Sequence, residues 1–154
     1  MKLNTVTGHQ MKTHLVCPHC NSTNRVPTDK LEAELSCGHC HKALFDNHPA
    51  NLTAIGLEAQ IAKSEVPVVV DFWAPWCGPC RMMAPEYDKA CAQLEPYARL
   101  VKVDTEAHQE VGLKHNIRSI PTLVIFKAGK EVSRISGARS ASDLVKWVSA
   151  EIGK

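Results

Sequence analysis

The sequence predicts an α/β domain of about 100 residues with a mixed sheet covered on both faces, preceded by a small module stapled by four cysteines. Three observations carry this expectation. Segments of strand period and helix period alternate after residue 50. Six of the eight histidines and four of the seven cysteines lie before it. Three Cys-x-x-Cys pairs punctuate the chain, at Cys17 and Cys20, Cys37 and Cys40, and Cys77 and Cys80.

The elements follow in order. "GLEAQIAKS" from Gly56 has the period of a short amphipathic helix, and "VPVVVDFW" from Val66 to Trp73 is a β-branched and aromatic run of buried-strand length. "CRMMAPEYDKACAQLEPY" from Cys80 is helical in spacing, with Pro85 as an expected kink. "RLVKVD" reads as a second strand, "EAHQEVGLKHN" as a helix and "TLVIFK" as a third strand. "AGK" then turns the chain into "EVSRIS", a hairpin, and "SASDLVKWVSAEI" closes it as a helix with Ser140 as N-cap. Ahead of these, "DKLEAEL" is helical in period, and "FDNHPANLT" supplies turn chemistry at the boundary. The expected domains are residues 1–48 and 52–154. Residues 1–11 read as a disordered leader, with Met11 as a second possible start.

Charge excludes several functions. Residues 1–50 carry five basic and four acidic side chains and residues 51–154 carry thirteen and twelve, for a net charge of +2. Neither half has the basic footprint of a nucleic-acid binder or of a protein bound to an anionic membrane. No apolar run matches a signal peptide or a membrane span. The expectation is a cytoplasmic monomer, and in that reducing compartment cysteines are metal ligands or catalytic thiols before they are structural disulfides.

A reactive thiol needs access, an electropositive neighbour and a rigid frame. "VVVDFWAPWCGPCRMMAPEY" offers all three, because a strand delivers the chain to a loop and Cys77 falls at the start of the next helix, at its positive end. Cys80, one turn on, points toward the interior. Cys77 is therefore the candidate nucleophile and Cys80 the resolving thiol, with a metal half-site as the competing reading. Pro79 between them lacks an N–H that could stabilise a thiolate, which favours a reductant. The pairs at Cys17, Cys20, Cys37 and Cys40 lack that frame but have each other, and Cys-x2-Cys-x16-Cys-x2-Cys is the spacing of a tetrahedral zinc site. Redox dithiols or disulfides are the competing reading there. His19 and His39 inside the chelating turns are weaker ligand candidates, and Cys91 reads as a small buried hydrophobe. Asp71 interrupts an apolar strand six residues before Cys77: it is either buried and in need of a partner, or exposed at a sheet edge.

"DFWAPWCGPCRMMAP", Lys102 in "VKVD", "IRSIPTLVIF" and Gly137 resemble the thioredoxin family, in that family's order, from about residue 52 to the end. With the cysteine pairs in front, the chain resembles the family's two-domain bacterial form, which carries an N-terminal zinc domain. The resemblance implies a thioredoxin fold and a protein-disulfide reductase, with Cys77 attacking and Cys80 resolving. It also implies that Asp71, with Lys102 beside it, helps deprotonate Cys80 through water. Pro121 matches a cis-proline facing the cysteines, and Trp76, Gly78, Pro79, Ile120, Gly137 and Ala138 would line the substrate groove with it. One structural zinc ion, disulfide-containing substrate proteins and an NADPH-dependent thioredoxin reductase as recharging partner follow from the same resemblance. Two rival functions are a zinc-regulated redox sensor or chaperone and a nucleic-acid-binding zinc ribbon with a passenger domain.

Overall fold

The computed structural model describes residues 11–154, so the expected leader lies outside the described residues except for Met11. A two-stranded antiparallel sheet, β1 (Lys12–Val16) and β2 (Thr23–Pro27), opens the described chain, with Lys12 opposite Pro27 and Val16 opposite Thr23. The main domain follows as β3 (Ala50–Asn51), α1 (Ala54–Lys63), β4 (Val68–Trp73), α2 (Gly78–Leu94), β5 (Arg99–Asp104), α3 (Gln109–Lys114), β6 (Thr122–Lys127), β7 (Lys130–Ser136) and α4 (Ala141–Ile152). Its five strands lie in the order β3-β5-β4-β6-β7. β3, β5 and β4 run parallel, while β6 and β7 are antiparallel to their neighbours. No described helix is long and apolar enough to cross a membrane.

β4 is the central strand, and this is why its sequence is almost continuously apolar. Alternation sends its residues into two cores. Val69, with Leu100, Leu123 and Ile125, packs under Met83, Tyr87 and Leu94 of α2 and Leu144 and Val148 of α4. Val68, Val70 and Phe72 pack on the other face with Val101, Val103, Val124, Leu57 of α1 and Val111 of α3. Caps fix the helix starts: Thr53 Oγ1 accepts from the Gly56 N–H at 3.1 Å, and Ser140 Oγ from the Asp143 N–H at 3.1 Å. The expected hairpin turns through Ala128 and Gly129, both at positive φ (52° and 81°), the pair of angles that matches the twist of antiparallel strands.

Several local readings change. Helix α1 begins at Ala54, two residues before the expected Gly56, because Thr53 caps it. The turn-rich boundary contributes Ala50 and Asn51 as an edge strand beside Val101 and Lys102. "DKLEAEL" forms only a 3-10 turn at Thr28–Lys30, since among these residues just Leu31 and Leu35 reach the module's apolar cluster. The strand begins at Val68, and Val66 instead joins Leu15, Val26 and Leu44 in the small core of the module. Pro85 sits inside an α2 that continues to Leu94. Two X-Pro bonds are cis: Ile120–Pro121, as the resemblance implied, and Glu95–Pro96, which nothing in the sequence indicated.

The N-terminal module docks edge-on against the segment that ends α1. The Glu65 N–H donates to the His14 carbonyl at 2.9 Å, and the His14 N–H returns to Glu65 Oε1 at 2.7 Å. The Val16 N–H donates to Ser64 Oγ at 3.3 Å, and Gln60 Nε2 donates to the Val16 carbonyl at 3.0 Å while its Oε1 accepts from Ser64 at 2.7 Å. Gln60 is fully buried by this contact. Arg99, also buried, reaches the Val16 carbonyl at 3.4 Å, stacks 4.1 Å over the Phe45 ring and pairs with Glu95 at 3.8 Å.

Replacing Gln60 by Ala takes the shorter of two donors from the Val16 carbonyl and leaves the Ser64 hydroxyl without its acceptor inside this seam. Orphaned buried polar groups cost about 1–3 kcal/mol. Urea denaturation is expected to show a loss of that size for Gln60→Ala, against a change within about 0.5 kcal/mol for the exposed Lys63→Ala.

Candidate redox site and candidate metal cluster

Cys77 is the N-cap of α2. Its Sγ accepts from the Cys80 N–H at 3.2 Å, and the two cysteines are joined in a disulfide with Cα atoms 5.3 Å apart. The free N–H groups and the dipole of a 17-residue helix converge here, which favours a thiolate at this position over a thiol. The sequence led us to expect an accessible Cys77 and an interior Cys80, but their exposures, 4% and 3%, are nearly equal. What separates them is what they face: Cys77 lines a cavity of about 520 Å³ and Cys80 does not.

Trp76 (66% exposed), Gly78, Pro79 and Ile120 line that cavity. Cys77 Sγ lies 3.7 Å from the carbonyl oxygen of Ile120, just before the cis-Pro121. Gly137, at φ 93°, donates its N–H to the Pro121 carbonyl at 2.8 Å and so borders the cis bond without lining the cavity. Pro121 and Ala138 are not among the lining residues. The sequence reading missed Thr105, Gly112, Ile117, Arg118 and Ser119, which complete the wall. "IRS" beside Ile120 could have flagged three of them, but Thr105 just after β5 and Gly112 inside α3 are brought near only by the β5–α3 crossover.

Asp71 sits in the middle of β4 and is 1% exposed, so the sheet-edge alternative does not hold. Neither carboxyl oxygen has a hydrogen-bond partner. Burial pushes this carboxyl up to about 7, against the opposing pull of the Lys102 charge. Lys102 is directly opposite in the parallel register, and its Nζ lies 4.5 Å from the centre of the Trp73 ring. α2 packs on this same face of the sheet, so the only hydrogen-bond-free carboxylate of the inner face lies beneath the helix that begins at Cys77, among the described residues.

In the module, the four sulfurs of Cys17, Cys20, Cys37 and Cys40 all lie within 4.8 Å of one another. Cys17 and Cys40 are 3.6 Å apart, as are Cys20 and Cys37. Tetrahedral zinc with bonds of about 2.3 Å sets its sulfurs about 3.8 Å apart, so the donor set fits that ion. Backbone N–H groups already point at the sulfurs, His19 to Cys17 at 3.4 Å and His39 to Cys37 at 3.3 Å. Asn24 joins the two halves, donating to Cys37 Sγ at 3.5 Å and accepting from the Gly38 N–H at 2.9 Å. The Cys40 N–H, then Asn24 and His39, draw the Cys37 thiol down to about 5, toward the thiolate that a metal requires. The His19 and His39 side chains are exposed and outside the cluster. Cys91 is buried in the main core, where burial and the neighbouring Glu95 raise its thiol.

The family model described as Thioredoxin matches residues 48–150, and that described as Thioredoxin 2, N-terminal, matches residues 16–42. Thioredoxin C-3 of Corynebacterium nephridii is 42% identical over 138 residues, covering 90% of this chain and 94% of its own length. Thioredoxin 1 of Nostoc sp. strain PCC 7120 is 48% identical over 89 residues, 58% of this chain and 83% of that protein. Among solved structures, a mutant thioredoxin from Halobacterium salinarum NRC-1 superposes with a TM-score of 0.62 at 25% identity, over 69% of this chain and 92% of its own. Chloroplastic thioredoxin z gives 0.63 at 29% identity, over 69% and 95%.

The raised Asp71 carboxyl has a consequence for stability. A carboxyl that holds its proton more tightly when folded supports the fold fully below about pH 4 and loses that support as pH rises through about 7. Asp71→Asn removes the loss. At pH 8 the variant is expected to be more stable than the parent by on the order of 4 kcal/mol, with the gain vanishing near pH 4, in paired denaturant titrations.

Proposed function

Because the chain belongs to the thioredoxin family, a family of thiol-disulfide oxidoreductases, we propose that it reduces protein disulfides by dithiol exchange through Cys77 and Cys80. The observation that carries this reading is the Cys77–Cys80 disulfide at the N-terminus of α2, with Cys77 opening onto a cavity walled by Trp76 and the Ile117–Ile120 segment.

In the reduced protein the Cys77 thiolate attacks one sulfur of a substrate disulfide and the other leaves as a thiolate, which takes up a proton. Cys80 then loses its proton, and its thiolate attacks Cys77 Sγ, expelling the second substrate sulfur and closing the Cys77–Cys80 bond. Two electrons pass to the substrate, and two substrate thiols result. Asp71 takes the proton of Cys80 through a bridging water, because a buried carboxyl titrating near neutral pH can accept and return it. Lys102 supplies the charge that keeps this carboxyl from rising further. Ile120, Pro121, Gly137 and Ala138 with Trp76, Gly78 and Pro79 hold the substrate chain. An NADPH-dependent thioredoxin reductase restores the dithiol, in the cytoplasm, where the free thiols of the module would stay reduced.

Cys17, Cys20, Cys37 and Cys40 would hold one zinc ion as a structural cross-link between two turns of the module (residues 1–48), ahead of the redox domain (residues 52–154). A module with so small an apolar cluster needs such a link.

NADPH-coupled reduction of a protein disulfide tests the reading. Cys77→Ser is expected to abolish turnover, Cys80→Ser to accumulate a mixed disulfide with substrate, and Asp71→Asn to slow release from it at least about 10-fold. Wild-type rates in Cys77→Ser would refute the assignment. Metal analysis should find about one zinc per chain in the parent and little in Cys37→Ser; under half an equivalent in the parent overturns the structural site.

A further inference from the structure

Asp71 and Trp73 are two residues apart on β4 and so share a face of the sheet, and the parallel register sets Lys102 beside Asp71 on the same face. The Lys102 side chain thus starts between two neighbours that attract a cation, a carboxylate and the face of an indole. The structure shows which one holds it. Nζ lies 4.5 Å from the Trp73 ring centre, within cation–π range, while both Asp71 oxygens remain without a partner. The other groups on this face offer Asp71 no cation. Tyr87 of α2 commits its hydroxyl to the Val101 carbonyl at 2.8 Å and the Val69 carbonyl at 3.0 Å, β6 places Leu123 opposite Asp71, and α4 contributes Leu144 and Val148. Near the start of α2, Arg81 is exposed and donates to the Pro75 carbonyl at 3.2 Å, and Cys77 and Cys80 are held in their disulfide.

We propose that Trp73 is a positioning residue for disulfide exchange: its ring holds the Lys102 ammonium off Asp71, leaving that carboxyl unpaired and free to exchange the proton of Cys80. An ammonium in direct contact would hold a carboxylate ionised and lower its titration by about 1–3 units. Asp71 would then be a poor proton carrier at neutral pH. At the ring, Lys102 still tempers the effect of burial by its charge without closing an ion pair. Trp73 therefore sets the distance between two groups that the strand register alone would bring together. The inference rests on the role given to Asp71 above, but the two can fail separately. The titration of Asp71 reports where Lys102 sits whether or not Asp71 moves a proton in turnover.

The test is the titration of the Asp71 carboxyl by carbon NMR in the full-length, zinc-loaded, reduced protein, together with the pH profile of disulfide exchange. Trp73→Leu removes the ring and frees Lys102. Its Asp71 midpoint is expected to fall by about one unit, and the pH profile to move to acid with it. Trp73→Phe keeps a ring face and should largely restore the parent midpoint. Because Trp73→Leu could also admit water, the same change is made in a Lys102→Met background, where no further fall in the midpoint is expected. An unmoved midpoint in folded Trp73→Leu overturns the proposal, and so does an equal fall with Lys102 absent. If Trp73→Leu does not fold, Trp73→Met takes its place: a midpoint lower by about one unit is expected, and an unmoved one overturns the proposal.

Discussion

Everything in the redox domain is arranged around β4, a strand buried on both faces that carries one carboxylate with no hydrogen bond. Burying Val68, Val69, Val70 and Phe72 drives two cores to form against one sheet. The same burial makes Asp71 expensive, since a carboxylate deprived of water and of a donor resists ionisation. A fold selected for stability alone would place an apolar residue there. The cost is confined to one position, a carboxyl that burial raises to about 7 on the face of the sheet covered by the helix that begins at Cys77.

The strand also fixes the geometry of the site by where it stops. Past Trp73 the chain leaves the sheet, Cys77 caps α2, and the helix dipole and free N–H groups meet at the sulfur. The opposite wall comes from a distant stretch. A cis bond at Pro121 and the Gly137–Pro121 hydrogen bond set the Ile120 carbonyl beside Cys77, and the segment before it closes an apolar cavity. Access to Cys77 thus depends on a cavity rather than on the area the sulfur exposes.

The N-terminal module is joined to this domain by polar groups more than by apolar area. Gln60, Ser64 and Glu65 satisfy the backbone of β1 almost as a neighbouring strand would, and Arg99 spans the seam with Glu95 balancing its charge. Burial raises the Glu95 carboxyl to about 6, and the Arg99 contact opposes that rise. Removing one member of such a buried pair leaves the other uncompensated, so the seam is specific even though the pair itself adds little net stability. The Tyr97 hydroxyl bonded to Glu32 extends the contact at its rim.

By itself the sequence determined what rests on local spacing. Alternating periods gave the α/β class and the order of its main elements, the strand–loop–helix pattern placed Cys77 at the start of α2, and paired Cys-x-x-Cys spacing gave the four-cysteine cluster, because each is decided within a turn or a strand. Short elements escaped: Ala50 and Asn51 become a strand only because β5 offers them an edge, and "DKLEAEL" has helical period but too little apolar surface to bury. Only the tertiary structure decided which buried polar residues were partnered. Gln60 is buried where the module covers α1, Thr105 and Gly112 reach the cavity wall through a crossover, and Lys102 sits against Trp73 rather than Asp71. These outcomes depend on distances between segments far apart in the chain, and burial energies set by those distances are not written in any local pattern.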